Sequence, residues 1–335
     1  MKKRILCLLV TGVIISIFLP PQALLSAPYY EGKTVRIIVG FGPGGGYDRM
    51  ARLLAKHLPK FIPGKPSIIV ENMEGASSII AANYLYNIAK PDGLTIGTFI
   101  ATLPFAQLIK IEGVKFDIRK YSWIGSSALE SYVLTLRTDS PYKTIEDLKK
   151  AKDPIPLGCS GVATMDYQFP LLLKGFLGLN LKMVVYVSSA EAMLAVEKKE
   201  VEGRAGYYSS LKPFIERGLV RPVIRGRVST PGIENLPVNE DLTTDKMGKT
   251  LMAMFSVTDI IGRPYVAPPG TPAEVMKILW DAFAKVAKDP ELKEESKKMM
   301  MDVAYTPAEE VLKIINFLLT QPEDVVKEFS KYVKF

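Results

Sequence analysis

Residues 35–48, reading VRIIVGFGPGGGYD, leave this chain few folds to choose from. Val35 to Phe41 is an apolar run with the length of a buried strand. Gly42, Pro43, Gly44, Gly45 and Gly46 follow as a turn. Tyr47 and Asp48 then open a helical pattern of Met50, Leu53, Leu54, Leu58 and Phe61. A strand that turns through glycines into a helix aims unpaired N–H groups and the positive end of a helix dipole at one point. An anion is expected there, with Asp48 capping the helix start rather than touching the anion.

The pattern repeats. Residues 33–100 read as β-α-β-α-β, with strands over 34–41, 67–71 and 94–100 and a second turn at Glu74, Gly75, Ala76, Ser77 and Ser78. Strands alternating with helices predict a parallel sheet covered on both faces, with ligands beyond the carboxyl ends of the strands. Residues 123–137 read as extended connecting chain. A second α/β unit follows, with small polar turns at 159–164 and 188–190. Residues 251–257 read as a strand. Thr271 and Thr306, each followed by proline and then glutamate two positions on, read as helix caps. Turns at 42–46, 75–78, 160–164 and 188–190 thus place helix starts on both sides of a cleft, and Arg204 is a further candidate contact for an anion.

Residues 1–27 stand apart. Lys2, Lys3 and Arg4 precede an apolar run over 5–19, and Leu25, Ser26 and Ala27 offer small residues for cleavage, the pattern of a secretory signal peptide. Its removal takes away three cations and lowers the net charge from +8 to +5. The remaining basic residues are scattered, which speaks against nucleic-acid binding. Cys7 leaves with this segment, so Cys159 has no disulfide partner. His57 is the single histidine, and no zinc-ligand spacing exists.

Two catalytic readings compete. Gly40 to Gly45 has the dinucleotide spacing G-x-G-x-x-G, and Glu71 ends the next strand, where an acid could hold a ribose. Pro43 intrudes in that turn and no proton-transfer residue accompanies it. Cys159 and His57 could form a thiol–imidazole pair, but nothing in the sequence brings them together. Tyr47, Phe105, Tyr132, Tyr167 and Tyr207 are candidates for an aromatic lining.

The segments VRIIVGFGPGGGYDRMARLLAKHL (35–58), IIVENMEGASSIIAANYL (68–85), AKPDGLTIG (89–97) and APPGTPAEVMKIL (267–279) resemble the periplasmic solute-binding proteins of the tripartite tricarboxylate transporter family, the Bug receptors. The resemblance implies an α/β, two-domain periplasmic-binding-protein fold, type II-like. Each domain would be a mainly parallel sheet flanked by helices, with the ligand cleft between them and a hinge of crossing strands. Domain 1 would comprise 28–127 plus 253–335, and domain 2 would comprise 128–252. The expected role is capture of a small organic carboxylate by hinge closure in the periplasm, as a monomer without cofactor, metal or catalytic residues. The ligand would pass to the membrane subunits of a transporter, or a sensor would use the same fold to dock a signalling partner. The implied site comprises Gly42, Pro43, Gly44, Gly45, Gly46, Tyr47, Gly75, Ala76, Ser77 and Ser78, facing Ser160, Gly161, Ala163, Thr164, Tyr186, Ser188, Ser189 and Arg204. Tyr47 stands where the family commonly has a small residue and is expected to narrow the site.

Overall fold

The computed structural model describes residues 27–335 except Ala163, so all but the last residue of the expected signal segment, and Ala163 of the expected site, lie outside the described residues. Strands β1 (Thr34–Val39), β2 (Ser67–Asn72), β3 (Thr95–Thr98) and β4 (Ser122–Ser126) begin a first sheet. The chain then crosses to a second sheet made of β5 (Tyr132–Arg137), β6 (Ile155–Cys159), β7 (Leu181–Val185), β8 (Gly203–Tyr207) and β9 (Val220–Arg225). It returns to the first sheet with β10 (Pro264–Ala267) and β11 (Thr306–Pro307). The strand orders are β11-β4-β10-β3-β1-β2 and β7-β6-β8-β5-β9.

The α/β architecture of two helix-flanked sheets is the one expected, but both sheets are mixed. β2, β1 and β3 run parallel, as do β7, β6 and β8. β10, β4 and β11 add antiparallel pairs to the first sheet, and β5 and β9 add them to the second. Of these strands, β4, β5 and β10 adjoin the crossings. A strand entering from the other unit needs no helical crossover and is free to pair in the opposite direction.

Side-chain alternation sorts these strands into three cores. Val35, Ile37 and Val39 of β1 face the helices at Gly46–His57 and Ala273–Val286, meeting Met50, Leu54, Leu279 and Phe283, whereas Ile38 faces the other way. On β5, Tyr132, Leu134 and Leu136 share Ile38's cluster, and Val133 faces a third cluster with Met193 and Leu211. Ile38's cluster is common to both units. Phe105, Phe255 and Phe329 meet at its centre with ring centroids 4.7–5.4 Å apart. Each fully buried side chain of this size contributes about 1.5–3 kcal/mol.

Several local expectations change. Residues 251–257 belong to a helix, Lys246–Ile261, capped by Asp245, whose side chain accepts from Gly248 N at 2.7 Å. Their largely apolar run reflects burial on several sides, which periodicity cannot distinguish from a strand. The second crossing is therefore this helix, not a crossing strand. Residues 123–137 form β4, β5 and a short crossing between them. Thr271 donates its hydroxyl to Pro268 O at 2.8 Å and does not cap Ala273–Val286. Thr306 lies in β11, one residue too early to cap Ala308–Leu319. Among the described residues no helix is long and apolar enough to cross a membrane.

Candidate functional site

A cleft of about 420 Å³ opens at the carboxyl ends of the parallel strands. From the first unit Phe41, Gly45, Gly46, Tyr47 and Ile100 line it. From the second come Tyr132, Ser160, Thr164, Met165, Asp166, Ser189, Arg204, Gly206, Tyr207, Ser210 and Leu211. Four helix starts border it, those of Gly46–His57, Met165–Leu177, Ser189–Glu197 and Tyr208–Glu216. First-turn N–H groups have no partner inside their own helix.

The sequence placed four turns here, and three arrive. The second turn is absent from the lining. Gly75, Ala76, Ser77 and Ser78 form a left-handed stretch with φ of +130°, +45°, +49° and +73°, unusual for the three residues that carry a Cβ. Ser78 is fully buried, donating its hydroxyl to Gly40 O at 3.1 Å and accepting from Ile100 N at 3.3 Å. It ties β1 to β3. The fourth helix start at the cleft is that of Tyr208–Glu216, which has no local signature because Tyr207 and Tyr208 are not capping residue types.

Other expected contacts are also used elsewhere. Gly42, Pro43 and Gly44 do not line the cleft. Gly44 N–H is taken by Asp48 Oδ2 at 2.8 Å, so Asp48 clasps the turn from the third position of the helix while Gly45 stands at its cap. Although burial opposes it, the bonds from Arg52, Gly44 N–H and Asn72 hold the Asp48 carboxyl below its usual pKa. Gly161 O accepts both the Thr164 hydroxyl and Thr164 N, the latter at 3.2 Å. Ser188 caps its helix, accepting from Glu191 N at 3.2 Å. Tyr186 sits at the sheet edge, its hydroxyl 3.4 Å from Glu200.

Tyr47 lines the cleft. Its ring stacks on Phe41 with centroids 4.6 Å apart. Its hydroxyl donates to Gly262 O at 3.2 Å and accepts from Ala101 N at 3.0 Å, and burial pushes the phenol up to about 12. Tyr132 and Tyr207 meet edge to face at 5.0 Å on the opposite wall. Phe105 lies in the shared core, and Tyr167 is not part of the lining.

Arg204 and Asp166 are the charged groups in the cleft lining, and they match each other. Nη2 lies 3.1 Å from Asp166 Oδ2, and Nη1 donates to Ser189 O at 2.8 Å. Asp166 also accepts from Ser160 N at 3.0 Å, from Ser160 Oγ at 2.8 Å and from the Thr164 hydroxyl. Arg204 Nε and the Tyr207 hydroxyl are buried without partners. An anion entering here meets those two donors, serine hydroxyls and helix starts, rather than an uncompensated cation. Asp166 was missed by sequence reasoning. Its position two residues after a helix-capping threonine reads only as a favourable first-turn acid.

The groups behind the catalytic readings are engaged in structure. Glu71 receives Arg36 through two bonds of 2.8 and 2.6 Å. Cys159 is fully buried with Sγ 3.3 Å from Val184 O, and burial pushes its thiol up to about 11. His57 is buried beside Glu295 at 2.8 Å and Asp289 at 3.4 Å. His57, Asp289 and Glu291 sit at metal-ligand spacing, but the Lys60 ammonium bonds all three.

A family model described as "Tripartite tricarboxylate transporter family receptor" matches residues 50–330. The chain belongs to this receptor family. Its Cupriavidus necator relative, the "UPF0065 protein in gbd 5'region", is 26% identical over 293 residues, 86% of this chain and 84% of that one. The receptor fold superposes on the periplasmic binding protein BugD with a TM-score of 0.68 at 22% identity, covering 90% of this chain and 98% of BugD. It also superposes on R. palustris Rpa4515, solved with adipate, with a TM-score of 0.67 at 19% identity, covering 89% and 98%. The second, third and fourth of the expected family segments fall inside the matched residues, and the first begins before them.

Proposed function

We propose that this receptor is exported to the periplasm by residues 1–27 and captures a small organic carboxylate in the cleft between its two units. The convergence of four helix starts on one cleft carries the reading. Each start favours an anion by about 0.3–1 kcal/mol, and more where partly buried. The adipate held by Rpa4515 supports a carboxylate as the ligand class. Gly45, Gly46, Tyr47, Ser160, Thr164, Ser189 and Arg204 are the contacts. The units correspond to 28–127 plus 253–335 and to 128–252. A ligand touching both favours the closed arrangement by its differential contacts, and the closed monomer hands it to the membrane subunits of the transporter. The chain itself performs no catalysis.

A thermal-shift screen of mono- and dicarboxylates against NAD and FAD tests this. A carboxylate at about 100 times its dissociation constant adds about 2.7 kcal/mol of stability. Stabilisation by the nucleotides alone would overturn the proposal.

A further inference from the structure

Beside the cleft lies a smaller pocket of about 120 Å³. Gly46 and Arg49 of the first unit's leading helix form one wall. Ser209, Ser210 and Pro213 of helix Tyr208–Glu216 form another, Met299, Met300 and Met301 form an apolar third, and Arg263, just past the second crossing, closes it. Gly46 and Ser210 also line the main cleft, so the two spaces adjoin.

Arg263 is the unusual member. It is 5% exposed. Its Nε and Nη2 both bond Glu130 Oε1, at 2.8 and 2.6 Å. Its Nη1 is buried and has no partner. The Nη1–Nη2 edge of the guanidinium abuts Gly46, where a Cβ would stand 2.6 Å from Nη1 and 2.9 Å from Nη2. Glu130 is already satisfied on its other oxygen by the Ser209 hydroxyl at 2.7 Å. Arg49, which donates to Met299 O, brings a second guanidinium. Two permanent cations therefore face one carboxylate around a space large enough for a two-carbon acid. A buried N–H on a charged group is costly to leave unpaired, and the net positive charge selects an anion to pair it.

We propose that this side pocket is a second anion site, which takes a small carboxylate or comparable oxyanion on Arg263 Nη1 and Arg49. Its walls come from both units and from the end of the second crossing. An anion held there bonds the two units together independently of the main ligand.

Calorimetric titration with sodium acetate at low ionic strength tests the site in the mature chain. Three variants separate the two spaces. Ser189→Trp obstructs the main cleft from an exposed position. Arg49→Gln removes the accessible cation of the side pocket. Glu130→Gln with Arg263→Gln removes the buried pair without leaving one charge unmatched. Acetate affinity within twofold of the parent in Ser189→Trp, at least tenfold weaker in Arg49→Gln and lost in the double variant is the expected result. Should the double variant fail to fold, the Arg49→Gln result stands alone as the deciding one. Acetate binding lost in Ser189→Trp and kept in Arg49→Gln would overturn the proposal, as would the absence of acetate heat in the parent protein. Because Ser189→Trp impairs the main cleft, failure of the carboxylate screen and failure of this site are read separately.

Discussion

Arg263 Nη2 lies 2.6 Å from Glu130 Oε1, and both side chains are almost fully buried. Glu130 stands in the short first crossing and Arg263 just beyond the second, so this one ion pair fastens together the two places where the chain passes between units. Around it, Ser127 N donates to Arg263 O at 3.0 Å and Glu130 N to Asp259 O at 3.0 Å. The crossings form a single hydrogen-bonded strap.

Breaking that pair from one side leaves a buried charge unmatched. Glu130→Ala is expected to lower stability by about 3–5 kcal/mol, whereas the double neutral variant Glu130→Gln with Arg263→Gln costs much less. Urea denaturation midpoints of the two proteins check this. Equal losses would show that the ion pair is not what the crossing depends on.

Asp259 gives the strap a pH dependence of definite sign. It is fully buried, and burial, with Glu130 and Glu240 nearby, raises its pKa well above the usual carboxylate range. The unfolded chain releases this proton near 3.9, while the folded chain keeps it. Between those two pKa values the folded state holds the extra proton, so this site's contribution falls by about 1.4 kcal/mol per pH unit as pH rises. Below the unfolded value the penalty vanishes. Asp259→Asn stays neutral and can still accept from Tyr132 N, which now donates to Oδ2 at 3.1 Å. Its stability relative to the parent should improve from pH 4.5 to pH 8. A constant difference in denaturation midpoint across that range would refute the assignment.

Adjacent glycines should respond differently to the same methyl group. At Gly45, with φ −73° and ψ 172°, a Cβ meets nothing nearer than Gly42 O at 3.9 Å. At Gly46 it meets the pinned Arg263 guanidinium at 2.6 Å. Gly45→Ala is expected to change stability by less than about 1 kcal/mol. Gly46→Ala should cost about 1–3 kcal/mol through overpacking, read as a fall in melting temperature.

Cys159 should behave as an inert core residue. With its thiol pushed up to about 11 and no exposed surface, little thiolate exists at pH 8. Labelling by a disulfide reagent should be slow in the native protein and immediate in urea. Rapid native labelling would show that the second unit opens at β6.

The sequence made the strand–turn–helix units legible because glycine turns and apolar runs are local signals. Gly45, Gly46, Tyr47, Ser160, Thr164, Ser189 and Arg204 were placed at the cleft for that reason. What escaped were relations between distant residues. Nothing near Asp166 announces Arg204, and nothing near Gly46 announces Arg263, 217 positions on. Ser78 looked like a ligand contact because turn composition is the same whether a hydroxyl faces a ligand or a neighbouring strand. Residues 251–257, within the helix Lys246–Ile261, read as a strand because burial from both units hides their period.

That helix also decides what counts as one folding unit. Phe255 on it packs against both Phe105 and Phe329 of the first unit, and the same apolar cluster takes in Leu134 and Phe169 of the second. Each half keeps a smaller apolar cluster of its own, but neither owns this large one. A fragment encoding one half would expose a broad greasy face, and a chimera joining halves from two relatives would have to match side-chain shapes across the seam.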